Sequence, residues 1–153
     1  AEVNPEPEAV VRAAPASAFS VSGAKGVAWT RVDDEKDALD LLASDIHRNP
    51  EVGYEETYAH ERVASFLEER GCEVQRSYLG VNTALRTEFS NGDGPSVGIM
   101  AEYDALPGIG HACGHNLICE AGVGAFLGAK AALEALEQAD GKAVAAKKAL
   151  FGA

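Results

Sequence analysis

Positive charge is scarce in this sequence. Its 153 residues carry 13 lysines and arginines against 24 aspartates and glutamates, for a formal net charge of −11. A surface of that sign repels phosphate backbones and anionic lipid, so neither nucleic acid nor a membrane surface is an expected partner. Long apolar runs are also missing. The longest apolar-rich stretch, from Leu117 to Ala135, is broken by glycines, Glu120, Lys130 and Glu134, and no membrane span is expected from it. Cysteine is sparse and odd in number, at Cys72, Cys113 and Cys119. That excludes a disulfide scaffold and points to a reducing, cytoplasmic setting. No basic-then-apolar segment of the signal-peptide type opens the chain, which begins at Ala1.

What remains is the composition of a globular domain, with 46% hydrophobic and 24% charged residues. The first 26 residues are rich in Ala, Pro, Ser and Glu, and residues 1–32 read as a flexible arm. Acids at Asp33, Asp34 and Glu35 suit a helix start. Leu39, Leu42 and Ile46 then recur at helical spacing up to Pro50. A second helix is expected from an N-cap at Thr57, with Ala59, Val63, Phe66 and Leu67 on one face and Gly71 closing it. The period then changes to two: Cys72 and Val74, and later Leu85, Thr87 and Phe89, read as half-buried strands. After the turn signal at 91–95, Val97 to Ala101 reads as a central strand covered on both faces. A long helix follows, about Leu117 to Gln138. The order predicts an α/β layer, a sheet flanked by helices, with a site at the carboxyl end of the last strand.

The site is expected at residues 102–116, Glu-Tyr-Asp-Ala-Leu-Pro-Gly-Ile-Gly-His-Ala-Cys-Gly-His-Asn. If this loop is extended, His111, Cys113 and His115 converge on one side. A thiolate and imidazoles together suit zinc and similar divalent metals. The plainer reading, a buried cysteine beside a capping histidine, carries comparable weight on these residues alone. Asp104 and Glu102 read either as an acidic strand end in water or as carboxylates that orient metal ligands. Cys113 and Cys119 lack redox spacing. His47, at a helix end, reads as structural, and His60, among charged residues, as solvated. Tyr54 and Tyr103 read as packing or rim residues.

Glu102-Tyr103-Asp104-Ala105-Leu106-Pro107, followed by His111-Ala112-Cys113-Gly114-His115-Asn116, resembles the M20 family of metallopeptidases. Within it the resemblance is strongest to the amidohydrolase branch, which holds indole-acetyl-amino-acid hydrolases, p-aminobenzoyl-glutamate hydrolase and M20 domain-containing dipeptidases. His47-Arg48-Asn49-Pro50-Glu51-Val52-Gly53-Tyr54-Glu55-Glu56 resembles an upstream signature of the same branch. The resemblance covers about Lys36 to Gln138. It implies the N-terminal part of a zinc-exopeptidase-like catalytic domain over 33–140, a divalent metal (zinc or manganese), Cys113 and His115 as metal ligands, and Asp104 as a catalytic residue beside them. It implies a dipeptide or N-acyl amino acid as substrate, hydrolysis of an amide by a metal-activated water, and a homo-oligomer formed through a further domain. The family's following Glu-Glu pair, which supplies the general base, has no counterpart: no acid follows Asp140. Residues 141–153 read as a divergent tail, a short basic helix or disorder. The expectation is therefore a truncated chain that is inactive alone, with a non-catalytic metal-binding or regulatory role as the alternative.

Overall fold

The computed structural model describes residues 20–140 and 148–152. Among these residues four α-helices and four strands run in the order α1 (Val21–Asp34), α2 (Lys36–Arg48), α3 (Thr57–Glu68), β1 (Val74–Arg76), β2 (Leu85–Phe89), β3 (Ser96–Met100), α4 (His115–Asp140) and β4 (Lys148–Gly152). The α/β class expected from the sequence is what the chain adopts.

Helices α2 and α3 follow their apolar period. Leu39, Leu42, Ala43 and Ile46 are buried on α2, and Ala59, Val63, Phe66 and Leu67 on α3. The larger of these side chains meet Val123 and Phe126 of α4 and Leu85 of β2 in one core. Fully burying each large apolar side chain contributes roughly 1.5–3 kcal/mol, which is why the stripe faces inward. Gly71 ends α3 with a φ of 72°, and the Cys72 amide closes the turn on the Leu67 carbonyl at 3.1 Å. Arg70 then reaches back to Glu35 at 2.6 Å and lies over the Phe66 ring, 3.4 Å from its centroid. The end of α3 is thereby tied to the α1–α2 junction.

The cap of α3 differs from expectation. Thr57 lies inside the helix, and Glu56, at the cap position, makes no capping bond. Glu51 does the capping from six to eight residues upstream. Its carboxylate accepts the amides of Tyr58 and Ala59 and the Thr57 hydroxyl, at 2.9–3.0 Å. The helix N-terminus thus has its acid, but from the preceding connector.

The sheet runs β1-β2-β4-β3. β4 pairs antiparallel with β2 (Thr87 opposite Phe151) and parallel with β3 (Gly98 opposite Leu150). Two expectations fall here. The tail, read as basic helix or disorder, supplies an inner strand over Lys148–Gly152; its remaining residues lie outside the described ones. Val97 to Ala101, read as a central strand covered on both faces, lies instead in β3 (Ser96–Met100), the edge of the sheet among the described residues, with Val97 and Met100 exposed and Ala101, just past its end, buried. An apolar run is compatible with burial but does not enforce it when no layer lies over one face.

Part of the segment read as a flexible arm, from Val21 onward, is helical. Ser20 caps α1 by accepting the Gly23 amide at 3.1 Å, and Gly128 of α4 lets α1 approach closely. A Cβ at Gly128 would sit 3.1 Å from the Ala28 carbonyl oxygen and 3.3 Å from Val32. Residues 1–19 of the expected arm lie outside the described ones. By length and composition α4 could cross a membrane, but Cys119, Val123, Phe126 and Leu127 are buried in the core.

Candidate functional site

The loop after β3 is built from the strand outward. Ala101 and Tyr103 turn into the core, which leaves Glu102 exposed and aims Asp104 along the opposite side from Tyr103. The Tyr103 hydroxyl donates to the Thr83 carbonyl. Burial, and next the charge of Glu56, push its phenol far above the ordinary range, so it stays a donor. The Ala105 amide then donates to the Glu51 carbonyl at 2.7 Å. One connector residue therefore holds both the N-terminus of α3 and the Asp104 loop. Leu106 and Gly110 exchange backbone hydrogen bonds at 2.9 and 3.1 Å, pinching off a small turn in which Gly108 and Gly110 have positive φ. Such angles suit glycine because no Cβ clashes.

The segment from His111 to His115 is a turn rather than an extended strand. The Gly114 amide donates to the His111 carbonyl at 3.0 Å, with Gly114 at a φ of 80°. The period-two convergence of His111, Cys113 and His115 therefore fails. The turn brings Cys113 and His115 to Asp104 and points His111 elsewhere. His115, the first residue of α4, has its Nδ1 2.7 Å from Asp104 Oδ1. The Cys113 thiol lies 3.8 Å from the Asp104 carbonyl oxygen. Asn116 fastens this end of α4 to α2, donating to the Ala43 carbonyl at 3.3 Å.

His111 stacks on His47 with ring centroids 6.0 Å apart and 29° between planes. Among the described residues, neither of its buried ring nitrogens has a hydrogen-bond partner of ordinary geometry, although the Ile46 backbone lies near enough to favour the charged ring. Burial, then the nearby His47, pull its pKa below the usual imidazole value. Both rings line a cleft of about 670 Å³ with Asp40, Arg48 and Glu120. The sequence did not reveal this ring partner of His47. His60 does not fit its reading as solvated: it is buried, with Nδ1 3.0 Å from the Thr83 carbonyl oxygen. Tyr103 is a packing residue and Tyr54 an exposed rim residue.

A carboxylate on His Nδ1 fixes the ring tautomer and leaves Nε2 as a free donor to a metal, the usual support of a ligating histidine. With a thiol on the same loop, this donor set fits a divalent metal of the zinc type. Among the described residues, no group of three or more His, Cys, Asp and Glu side chains is arranged to hold an ion. Two donors and a supporting acid are therefore what these residues offer. Sequence reasoning missed Glu51, whose positioning role was legible only as one acid among several.

No family model matches the chain. It is similar to the Xaa-Arg dipeptidase of Mus musculus, 40% identical over 132 residues, covering 78% of this chain and 30% of that protein. The Homo sapiens Xaa-Arg dipeptidase is 42% identical over 118 residues, covering 69% and 27%. One of the polypeptides of the Escherichia coli p-aminobenzoyl-glutamate hydrolase is 34% identical over 114 residues, covering 63% and 23%. The chain thus spans less than a third of the length of these curated relatives. Among solved structures, its fold is similar to the Bacillus subtilis YXEP protein, described as a dinuclear metal-binding peptidase of the M20 family. That match has a TM-score of 0.53 at 24% identity and covers 76% of this chain and 34% of the other. Sequence motifs, relatives and fold agree: over the part that it spans, the chain is similar to these dipeptidases and hydrolases and shares the fold of an M20 metallopeptidase.

Proposed function

We propose that this chain contributes to a metal-dependent amide hydrolase that cleaves a dipeptide or an N-acyl amino acid, with Cys113 and His115 as metal ligands. The observation that carries this is the 2.7 Å contact between Asp104 Oδ1 and His115 Nδ1, with the Cys113 thiol on the same turn. Zinc or manganese is the proposed ion. When bound, such an ion polarises an amide carbonyl and acidifies water. The chain's own contribution is to hold the donors: Asp104 orients the imidazole, Gly114 makes the turn that presents Cys113, and Asn116 anchors the helix start. The free thiols of Cys72, Cys113 and Cys119 support the proposal of a reducing, cytoplasmic setting, which localisation of the tagged protein in its own cell tests. A homo-oligomer is likewise a proposal, tested by light scattering.

A second reading, a non-catalytic metal-binding chain, is favoured by one observation: among the described residues, no third ligand joins Cys113 and His115. Two measurements separate the readings. Bound zinc or manganese is quantified in the chain, in Cys113→Ser and in His115→Ala. Hydrolysis of N-acyl amino acids and β-alanyl dipeptides is then assayed in the chain itself, and in a fusion of residues 1–142 to the remainder of the mouse Xaa-Arg dipeptidase. The hydrolase reading expects metal lost in both variants, negligible turnover by the chain alone, and turnover in the fusion that vanishes with Cys113→Ser. A folded fusion that binds metal and never turns over leaves only the second reading.

A further inference from the structure

Three cations meet at a small cavity where α1, the residue Arg70 just past α3, and α4 come together. The cavity has a volume of about 130 Å³ and is lined by Arg31, Arg70, Lys130 and Glu134, with Leu127 and Ala131 as its apolar wall. Like charges held this close repel unless something negative faces them. Two carboxylates do so in part. Glu35, which does not line the cavity, bridges Arg31 and Arg70, with an Nη2 from each at 2.8 and 2.6 Å. Glu134 accepts from Lys130 Nζ at 2.6 Å. Three cations against two acids leave one positive charge uncompensated, in a chain whose net charge is −11.

Unused donors point the same way. Lys130 is only 18% exposed at its side chain and lies over the Phe89 ring, 5.4 Å from the centroid. Its ammonium has three donors. Glu134 takes one and the ring face at most another. A mostly buried ammonium with a donor unmet calls for a further acceptor. Arg31 gives Glu35 only Nη2, which leaves Nε and Nη1. Arg70 has no fork to offer: Nε and Nη2 go to Glu35, and Nη1 to the Phe66 carbonyl. It contributes charge alone. The volume equals that of about four waters, room for one tetrahedral oxyanion and too little for a nucleotide.

We propose that this cavity binds a free inorganic phosphate ion, held by Arg31 Nε and Nη1 and by Lys130 Nζ in the field of Arg70. A guanidinium edge matches two phosphate oxygens, and an ammonium serves as the point charge beside it. The bound ion fastens α1 to α4. That matters because α1 buries none of its own residues, so little apolar packing holds it in place. The inference stands apart from the hydrolase reading, since no residue of the 102–116 loop lines this cavity.

The test is a titration of the full chain with sodium phosphate at constant ionic strength, followed by amide NMR shifts and by melting temperature. Sodium acetate and phenyl phosphate are the comparison arms. Phosphate is expected to shift the amides of residues 31, 70 and 127–134 to saturation and to raise the melting temperature, as a ligand of the folded state does. Acetate is expected to do neither. Arg31→Gln and Lys130→Met are each expected to weaken phosphate binding about tenfold or more, the usual loss for a charge-assisted hydrogen bond. Lys25→Met, at an exposed position of α1, is expected to leave it unchanged. Equal responses to phosphate and acetate, or no saturable response to phosphate, overturn the proposal. So does an equal loss in Lys25→Met, which would mark general screening of charge. If Lys130→Met does not fold, the more exposed Arg31 carries the test, and wild-type affinity in Arg31→Gln overturns it. Binding of phenyl phosphate as tight as that of phosphate overturns the assignment to the free ion.

Discussion

Asp104 and His115 lie eleven residues apart and meet at 2.7 Å, oxygen to Nδ1, where the loop after β3 faces the first turn of α4. The contact determines which ring nitrogen is left to bind anything else. Asp104→Asn should weaken zinc binding by about 10- to 100-fold, the usual cost of removing the carboxylate behind a ligating histidine. Isothermal titration of the purified variant measures this, and an unchanged affinity would show that the pair is only structural.

Glu51 works at two places at once. Glu51→Ala removes the three side-chain bonds that cap α3 while keeping the carbonyl that accepts from Ala105. A loss of about 1–2 kcal/mol is expected, as for other caps. Urea denaturation gives the value, and a negligible loss would contradict the capping role.

The glycines of α1 and α4 should respond in opposite directions. Gly26 lies inside α1, and a methyl group there would meet nothing within 4 Å, so Gly26→Ala should stabilise by up to about 1 kcal/mol. Gly128→Leu must push against the Ala28 backbone at a point where even a Cβ sits at 3.1 Å, and should cost about 1–3 kcal/mol. Melting temperatures of the two variants check the pair, and the same sign for both would disprove the close α1–α4 contact.

Glu120 offers a pH-dependent test. Burial, then its hydrogen bond to Asp40, raise its pKa above the ordinary 4.5. A carboxyl group with a raised folded-state pKa favours the folded state while protonated, and that contribution is lost as pH rises through the folded value. Glu120→Gln should therefore raise the melting temperature at pH 7. The gain should shrink as pH falls through the folded pKa and vanish below the ordinary value of 4.5. A gain independent of pH would rule out this origin.

The residues of the candidate site are more legible in the sequence than its shape. Asp104, Cys113 and His115 were legible because they sit in one short loop whose composition is itself the signal. Where each side chain points was not legible. A period-two argument placed His111 beside His115, but Gly110 and Gly114, both at positive φ, curl the chain and send His111 to His47. His60 was misread because its charged neighbours Glu61 and Arg62 describe the outer face of α3, while its own partner, the Thr83 carbonyl, lies 23 residues away. Val97 and Met100 were misread because apolar character does not say whether a covering layer exists.

Residue order by itself fixed the buried faces of α2 and α3, the break between β2 and β3 at 91–95 and the donor residues of the loop, since each depends on neighbours within a few positions. Only the folded chain decided that Lys148–Gly152 enters between β2 and β3, that Glu51 caps α3, and that Arg31, Arg70 and Lys130 line one cavity. These relations join residues far apart in sequence. Strand pairing and burial are settled by which surfaces meet, and no local pattern records that.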